Sequence, residues 1–303
     1  MASHDPVMVN EVLEALRLQP GAVVVDGTLG LAGHSLRFAE RIAPGGTLVG
    51  FDWDESMLNL ARERLASVEG VDVRLVRDDY RTIQPVLAGM GLEADAILLD
   101  LGLNSAQIDD PERGISFQAE AVLDMRMDRS SGEPASALLN RMTPGQIERA
   151  LKDFGDERWA HAIAKKIVER RREKPLRTTT DLVECVLAAI PVGARDKRIH
   201  PATRTFQAVR ILANRELDDL DEAIMDAASA LAVGGTLAVL SYHSGEDRPV
   251  KMAFRELARS GEFEEATKKP LTPTEEEVRR NPRSRSAKLR VLRRISNIQG
   301  RSS

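Results

Sequence analysis

Three aspartates in this sequence stand where a ligand site is readily built, because each ends a short apolar run that is typical of a buried strand. They are Asp26, Asp52 and Asp100. Small residues follow the first of them, from Gly27 to Ser35, and an amphipathic helical pattern comes next. This pattern predicts a strand, a tight turn and a helix start. A ligand can approach the glycine backbone of such a turn closely and bind the unpaired N–H groups at the start of the helix. The stretch therefore predicts a cofactor site at its turn.

The spacing of the glycines indicates which cofactor this turn could take. A dinucleotide fingerprint needs G-x-G-x-x-G, whereas Gly27, Gly30 and Gly33 are spaced three apart. The pattern therefore disfavours a nicotinamide oxidoreductase. An acid directly before the glycines is more typical of S-adenosylmethionine (SAM) sites, which hold no pyrophosphate. The alternative interpretation is a plain tight turn between a strand and a helix.

Apolar runs alternate with helical patterns along most of the chain, which predicts an α/β fold with a mostly parallel, Rossmann-like sheet. The expected strands are 23–26, 47–52, 71–76, 94–101 and 236–241, with a last strand at 289–293. In such sheets ligands bind outside the carboxyl ends of the strands. The three aspartates all fall at such ends, so we expect them to share one site.

The alternation stops after the fourth strand, and residues 134–191 read as helices only. This predicts a helical insertion domain at 121–204 within a SAM-binding domain made of 1–120 and 205–303. One long helix, 206–231, is expected to lead back to the sheet. The expected helix N-caps include Thr143, Thr180 and Ser244.

The composition favours a cytoplasmic enzyme with no membrane or metal requirement. The chain has 303 residues, is 42% hydrophobic and 30% charged, and carries a net charge of −4. No apolar run approaches the roughly 18 residues of a membrane helix, and the first residues lack the features of a signal peptide. The one cysteine excludes an internal disulfide, and the five histidines show no metal-ligand spacing. The net charge argues mildly against nucleic acid, although local charge can override it.

Several polar residues near strand ends have both a functional and a structural interpretation. Asp52 could accept hydrogen bonds from both ribose hydroxyls, or cap the next helix, for which Asp54 is better placed. Tyr80 could stack on an adenine or lie as a lid on the core. The Asn104-Ser105 loop after the fourth strand could present acceptors to a planar amine, or form Asx and Ser turns.

Charge and cysteine patterns bear on the substrate. Lys165–Arg177 carries seven basic residues and Arg279–Arg294 carries eight, which predicts phosphate contacts if the runs are not simply solvated faces. Cys185 falls in an apolar helical pattern and is expected to pack in a core. Methylation of a pyrimidine carbon-5 usually needs a cysteine nucleophile, so that reaction is disfavoured. His243 lies in a polar loop where helix capping by Ser244 is the strong alternative.

Motifs along the whole chain resemble the bacterial 16S ribosomal RNA cytosine-N4 methyltransferases known as the MraW or RsmH family. Two of them, at 123–127 and 200–210, are very specific. The segments that carry the resemblance are 4–8, 26–35, 100–102, 107–110, 113–117, 123–127, 200–210, 243–248 and 281–286.

The resemblance implies a class I SAM-dependent methyltransferase fold with a helical insertion, acting on a cytosine amine of 16S rRNA in the small-subunit decoding centre. A homodimer is a further expectation. Two residues depart from the family pattern: Ala32 replaces a glycine, and Asn104 replaces a serine. The cofactor positions it implies are Ala32, Gly33, His34, Asp52, Tyr80, Asp100 and Gln107.

The expected chemistry is alignment of an activated methyl donor with a weakly nucleophilic amine. An acceptor that holds the amine protons would help, and the Asn104-Ser105 loop is the candidate catalytic element. Asp109, Arg113 and His243 are candidates for holding the base. A DNA amino-methyltransferase would usually carry a Pro-Pro-aromatic motif after the fourth strand, and a small-molecule enzyme would not need the basic runs. A non-catalytic ribosome assembly factor would keep those runs without needing the three aspartates.

Overall fold

The structure is a computed structural model that describes residues 6–102, 110–196 and 198–295. Its chain forms two compact units, one of Met1–Gly102 with Asp219–Ser303 and the other Leu103–Asp218. The second unit therefore begins earlier and ends later than the 121–204 insertion expected from the sequence. We call the first the sheet unit and the second the inserted unit.

The sheet unit is built on one seven-stranded sheet with the order β3-β2-β1-β4-β5-β7-β6. The first five strands are parallel, and β7 is antiparallel to both of its neighbours. The α/β class and the mostly parallel sheet are confirmed, whereas the short β6 has no counterpart in the prediction. The strands are β1 (Val23–Asp26), β2 (Gly46–Phe51), β3 (Val71–Val76), β4 (Ala94–Asp100), β5 (Leu231–Ser241), β6 (Phe263–Glu265) and β7 (Lys288–Arg294).

The α-helices of the described chain divide between the two units. The first four and the last three belong to the sheet unit, and the five between them form the inserted unit. In chain order they are α1 (Val9–Leu16), α2 (Gly33–Ile42), α3 (Glu55–Leu65), α4 (Ile83–Met90), α5 (Ala135–Arg141), α6 (Pro144–Gly155), α7 (Ala160–Glu173), α8 (Thr179–Ala189), α9 (Thr203–Asn214), α10 (Leu220–Ser229), α11 (Ser244–Ser260) and α12 (Glu275–Arg280).

Apolar side chains alternate along the strands so that one face of the sheet meets α1, α2 and α3. Leu48 of β2 and Leu98 of β4 are fully buried there with Phe38 and Ile42 of α2. Burial of each such side chain contributes about 1.5–3 kcal/mol relative to exposure. This core holds the carboxyl ends of β1, β2 and β4 in a fixed arrangement.

The predicted helix 206–231 is wrong as a single element. Arg215 (φ 54°) and Asp219 (φ 52°) adopt left-handed backbone conformations, which end α9 and precede α10. The first of the two helices belongs to the inserted unit and the second to the sheet unit. Periodicity did not reveal the break, since no glycine or proline marks it.

Three predicted helix caps have different outcomes. Thr143 is confirmed as the N-cap of α6, where it forms a capping box with Gln146. Thr180 is wrong, because Thr178 caps α8. Ser244 is also wrong, because the ring of His243 accepts the N–H of Glu246 and is the N-cap of α11. In both cases the helix begins earlier than its apolar pattern.

The inserted unit has its own hydrophobic core, formed by all five of its helices and the loop before them. The very specific 123–127 motif lies in that loop and is fastened to α9 by Asn214. The side-chain amide of Asn214 accepts the N–H of Met127 at 2.7 Å and donates to the carbonyl of Met125 at 2.8 Å. Much of this motif therefore serves the fold.

No helix within the described parts of the chain is long and apolar enough to cross a membrane.

Candidate functional site

The carboxyl ends of β1 and β4 lie side by side at the centre of the sheet. The chain continues from β1 to β2 on one side and from β4 to β5 on the other. A parallel sheet binds ligands at such a switch point, because the connections leave in opposite directions and open a crevice. Asp26 ends β1 and Asp100 ends β4, so two of the three predicted aspartates meet here.

Asp26 fixes the turn that follows β1. Its side chain accepts the hydroxyl of Ser35 at 2.7 Å and the N–H of Thr28 at 3.2 Å. The hydroxyl of Thr28 in turn accepts the N–H of Asp100 at 2.7 Å, which links β1 to β4. Burial raises the pKa of Asp26 to about 6, against the lowering effect of these hydrogen bonds. Asp26 therefore holds the turn after β1 in place, although burial of its charge is unfavourable.

Asp100 lies in the crevice with a phenol as its partner. The hydroxyl of Tyr242 donates to Oδ1 at 2.8 Å, and Nε2 of His34 lies 3.7 Å from Oδ2. Burial raises the pKa of Asp100 to about 7; the hydrogen bond from Tyr242 lowers it, and the charges of Asp26 and Glu246 raise it further. The group therefore titrates near neutral pH.

Asp52 follows β2 and connects two loops of the site. One oxygen accepts the N–H of Gly30 at 2.9 Å and the other accepts the N–H of Asp54 at 2.9 Å. Burial raises its pKa to about 6, despite these bonds. Asp54 is the N-cap of α3, as expected. Each oxygen of Asp52 keeps a second lone pair, so the ribose interpretation remains a prediction.

Sequence reasoning did not single out Tyr242 and Glu246, which complete the network around Asp100. Glu246 is 2% exposed and accepts the N–H of Tyr242 at 2.7 Å. Nε2 of His243 lies 3.0 Å from the other oxygen of Glu246, without hydrogen-bond geometry. The polar run after the fifth strand was the available signal, but only the structure shows which of its residues face the site.

The turn from β1 to α2 contains Ala32, one of the two residues that depart from the pattern the sequence resembles. Ala32 has φ 56°, a left-handed conformation that costs a residue with a Cβ roughly 1–2 kcal/mol. Glycine adopts this conformation freely, whereas the backbone of Ala32 is strained in it. At Gly33 an added Cβ would lie 3.2 Å from the ring of Pro6, so Pro6 packs closely on this turn.

His34 is held neutral in the crevice. Burial lowers its pKa to about 4, and neither ring nitrogen has a hydrogen-bond partner among the described residues. An unpartnered buried imidazole is costly, and it can be satisfied by a ligand. This is consistent with the predicted cofactor role of His34.

Tyr80 lies beside the end of β1, where it was expected to border an adenine. It opens a short 3₁₀ helix, Tyr80–Thr82, and the guanidinium of Arg81 lies 5.0 Å from the centre of its ring. A Cβ on Gly27 would come within 3.2 Å of Cβ of Tyr80. A Cβ there would also lie 2.5 Å from the side chain of Leu99, so this close packing requires glycine at position 27, and the contact of Tyr80 with an adenine remains a prediction.

The other predicted site residues do not enter this network. Arg113 belongs to the inserted unit, where its guanidinium donates to the carbonyl of Met127 and to Asp110. Its predicted contact with a base therefore remains a prediction. Four further predictions lie outside the described residues: Asn104, Ser105, Gln107 and Asp109.

The charges of the crevice show which ligand it suits. Asp26, Asp52, Asp100 and Glu246 bring four carboxylates together, and none is paired with a lysine or arginine within the described chain. The described residues also contain no cluster suited to a metal ion. Buried carboxylates without a cation favour a ligand that brings positive charge. SAM carries an ammonium and a sulfonium, so these residues fit it.

Comparisons with known proteins agree with this chemistry. The model of the MraW methylase family matches residues 1–295. The chain belongs to the MraW methylase family. Two relatives named ribosomal RNA small subunit methyltransferase H, from Geobacter sp. (strain M21) and Heliobacterium modesticaldum (strain ATCC 51547 / Ice1), are each 46% identical and cover 96% of this chain and 98% of their own length. An rRNA methylase structure from Streptococcus thermophilus aligns at 13% identity over 98% of this chain and 99% of that one, with a TM-score of 0.44, too distant to bear on function.

Membership of the MraW family confirms the class I SAM-dependent methyltransferase fold and SAM as the cofactor. SAM as the cofactor also explains why the residues of this site differ from those of a dinucleotide site. The crevice offers acids in place of a phosphate-binding glycine loop, since an MraW methylase must hold a cation.

Asp52→Ala is expected to weaken SAM binding by tenfold to a hundredfold. A hydrogen bond from a neutral ribose hydroxyl to a charged acceptor is worth roughly 1.5–3 kcal/mol. The variant also loses the link to Gly30, so Asp54→Asn, which keeps an N-cap but changes the neighbouring charge, is the matched control. Calorimetric titration with SAM checks the prediction, and an unchanged affinity would remove Asp52 from the site.

Proposed function

We propose that this protein transfers a methyl group from SAM to the exocyclic N4 amine of a cytosine in small-subunit 16S rRNA. The observation that carries the proposal is the set of unpaired carboxylates at the β1–β4 switch point, in a chain of the MraW family. Its relatives' name, ribosomal RNA small subunit methyltransferase H, supports the substrate class.

The proposed roles follow from the position and charge of each group. Asp100, which titrates near pH 7, pairs with the ammonium of the cofactor once ionised. Asp52 accepts the ribose hydroxyls, and Tyr80 borders the adenine. His34 is a neutral donor or acceptor within the crevice, since burial keeps its pKa near 4. Gln107 remains a predicted cofactor contact outside the described residues.

When bound, SAM supplies a methyl group that is already activated by its sulfonium. The residues of the chain therefore have to orient the cofactor and the base, hold the protons of the amine and exclude water. The amine of cytosine is a weak nucleophile, because its lone pair is delocalised into the ring. Asn104 and Ser105, directly after β4 in the chain, are proposed to accept the amine protons. His243, Asp109 and Arg113 are proposed to hold the base.

Some residues of the two basic segments serve the fold. Arg290 of β7 is 5% exposed and donates to Asp247 at 2.7 Å, so it serves the fold. In α7, Arg170 pairs with Asp181 at 2.7 Å. Within the C-terminal run the exposed basic residues lie in α12 and the 3₁₀ helix Pro282–Ser286, and we propose that this part of the run contacts phosphates.

Other expectations from the sequence remain proposals. We propose that the protein works in the cytoplasm, that the inserted unit recognises RNA, and that it can pair as a homodimer. A DNA amino-methyltransferase is the second candidate of the same chemistry. The acids of the crevice argue against a non-catalytic assembly factor, since such a factor has no use for carboxylates whose pKa is raised by burial.

Cys185→Ala is expected to keep near-normal turnover and to cost about 1 kcal/mol or a little more of stability. The thiol is 4% exposed in the core of the inserted unit, and burial raises its pKa to about 11, so it is a poor nucleophile at neutral pH. Transfer to an amine needs no thiolate adduct. Single-turnover assays and thermal unfolding check this; a variant that binds SAM and RNA but transfers no methyl would overturn the N4 assignment.

The proposed function is tested by mass mapping of modified nucleotides in small-subunit RNA incubated with the protein and SAM. A single methyl group on the exocyclic amine of one cytosine is the expected product. Asp100→Asn is the control that retains the fold and lacks the charge. Methylation of DNA instead of this RNA would favour the second candidate, and no methyl transfer to either would refute the proposal.

A further inference from the structure

Tyr242 contacts the candidate cofactor site, although neither the sequence analysis nor the proposed function gives it a role. It directly follows β5, and its hydroxyl donates to Oδ1 of Asp100 at 2.8 Å. A phenol that donates to a ligand-binding carboxylate can fix the orientation of that carboxylate and favour its ionised form. The surroundings of Tyr242 show whether it is placed firmly enough to do so.

The side chain of Tyr242 is held by contacts on several sides. The backbone N–H of Tyr242 donates to Oε2 of Glu246 at 2.7 Å, at the start of α11. The ring packs against the core between the sheet and α2. It also lies beside the backbone of Gly102, where an added Cβ would be 3.6 Å from Cδ2 of the ring. Since packing and a backbone hydrogen bond fix the residue, the position of its hydroxyl is well defined.

The two oxygens of Asp100 differ in their partners. Oδ1 accepts the phenol, whereas Oδ2 accepts no hydrogen bond from the described residues and lies 3.7 Å from Nε2 of His34. Nε2 of His34 is likewise without a hydrogen-bond partner in the described chain. A quarter of the Asp100 side chain is accessible, so a ligand can reach it. Tyr242 therefore engages one oxygen of the carboxylate and leaves the other for a ligand.

The phenol remains a hydrogen-bond donor at every pH at which the cofactor could bind. Burial raises the pKa of Tyr242 well above its ordinary value of 10, and neighbouring acids raise it further, among them Asp100 and Glu277 of α12. Burial also raises the pKa of Asp100 to about 7, and the hydrogen bond from Tyr242 acts against this effect. The phenol therefore favours the ionised form of Asp100.

The other titratable groups that face Asp100 do not favour its ionised form. The charges of Asp26 on β1 and Glu246 on α11 both raise the pKa of Asp100. His34 on α2 is neutral above about pH 4, because burial lowers its pKa. The hydrogen bond from Tyr242 thus opposes both the burial of Asp100 and the two negative charges beside it.

We propose that Tyr242 is a positioning residue for the cofactor: its hydroxyl keeps Asp100 ionised and leaves Oδ2 to receive the ammonium of SAM. The inference rests on the proposed function, which pairs Asp100 with that ammonium. Tyr242 acts through Asp100 and is assigned no contact with the cofactor itself. Because protonated Asp100 cannot pair with an ammonium, the hydroxyl of Tyr242 sets the pH range in which the cofactor binds.

The first test measures binding of S-adenosylhomocysteine to the wild type and to Tyr242→Phe by calorimetry between pH 6.5 and 8.5. This probe has the ammonium of SAM and lacks the reactive sulfonium. A hydrogen bond to a charged group is worth roughly a factor of ten, so we expect the midpoint of the pH profile to rise by about one unit. The variant should then bind about fivefold to tenfold more weakly at pH 6.5, and differ by less than about threefold at pH 8.5.

Two results of this test would overturn the inference. An equal loss of affinity at every pH would show that Tyr242 only packs, and an unchanged profile would show that its hydroxyl does not act on Asp100. 5′-Methylthioadenosine, which lacks the amino-acid part of SAM, is the control probe. We expect Tyr242→Phe to bind this probe as the wild type does, and an equal loss for both probes would also refute the role. Thermal unfolding verifies that the variant folds.

The second test repeats the exchange in an Asp100→Asn background. If Tyr242 acts through the charge of Asp100, adding Tyr242→Phe should change the affinity for S-adenosylhomocysteine by less than about twofold there. A further loss of about tenfold would show that Tyr242 acts independently of Asp100, and the inference would be wrong. Because asparagine removes an unfavourable buried charge, this comparison remains decisive even if Tyr242→Phe alone folds poorly.

Failure of this inference is distinguishable from failure of the proposed function, since the pH profile is measured without RNA. If the wild type methylates rRNA and Tyr242→Phe keeps the wild-type profile, the inference is wrong and the function stands. If the wild type methylates no RNA but Tyr242→Phe still shifts the profile upward, the inference stands and the function is wrong.

Discussion

Asp100→Asn is expected to weaken SAM binding by roughly a hundredfold and to stabilise the SAM-free protein. The carboxylate has no cationic side chain within the described chain, and burial raises its pKa to about 7. An ionised Asp100 is therefore a cost to the free protein that SAM relieves. Loss of one partner of a buried charge pair costs about 2–5 kcal/mol of binding. The asparagine still accepts the hydroxyl of Tyr242 and has no charge to compensate.

The stability change has a definite pH dependence. Because the folded-state pKa of Asp100 exceeds the ordinary value of 3.8, the folded protein binds more protons than the unfolded chain between about pH 4 and 7. Stability therefore falls as pH rises through this window and stays low above it. At pH 8 the asparagine removes this cost, so we expect a gain of about 2–4 kcal/mol. Asp226→Asn, on the exposed face of α10, is the control and should change neither stability nor affinity by much.

SAM affinity of the wild type should fall as pH is lowered from 8 to 6, because protonated Asp100 cannot pair with an ammonium. Asp26 and Asp52, whose pKa values burial raises to about 6, should steepen the loss below pH 6. His34 stays neutral throughout, since its pKa is about 4. Calorimetry in buffers of different ionisation enthalpy should detect proton release on binding near pH 7. A flat affinity between pH 8 and 6, or an Asn variant that binds SAM normally, would remove Asp100 from the cofactor site.

Asp247→Ala is expected to destabilise the protein by about 3–5 kcal/mol, the cost of leaving a buried charge unpaired. Asp247 binds both Nε and a terminal nitrogen of Arg290, at 2.7 and 3.2 Å, and lies 3.3 Å from Nζ of Lys288. The pair fastens α11 to β7. Arg290 is 5% exposed and cannot recover its hydration without moving the strand.

Chemical denaturation measures this change, with Asp218→Ala as the control, since Asp218 pairs with Arg215 at an exposed position. Adding Arg290→Met to Asp247→Ala should recover a large part of the loss, because no unpaired charge remains. SAM affinity should change little in either variant at a temperature where both are folded. A loss below 1 kcal/mol for Asp247→Ala would show that the pair contributes no more than a surface ion pair.

Local patterns in the sequence were sufficient to predict most of the strands and the class of ligand. Alternating apolar runs specified the parallel strands, and the acids at their ends predicted where a ligand lies. The glycine spacing after β1 separated a SAM site from a dinucleotide site. Cys185 in an apolar helical pattern was placed correctly in a core, where the structure buries it. These predictions succeed because burial and backbone geometry act on neighbouring residues.

Which charged side chains are neutralised by a partner, and which are not, depends on contacts between residues far apart in the sequence. Arg290 and Asp247, 43 positions apart, form a buried pair, so a residue of the basic tail serves stability. Tyr242 reaches Asp100 across 142 positions and joins it to Glu246, a connection that no local pattern encodes. The pKa of a carboxylate depends on its burial and on its neighbours in space. Long-range packing therefore makes Asp100 a group that titrates near neutral pH, where the sequence shows only an acid after a strand.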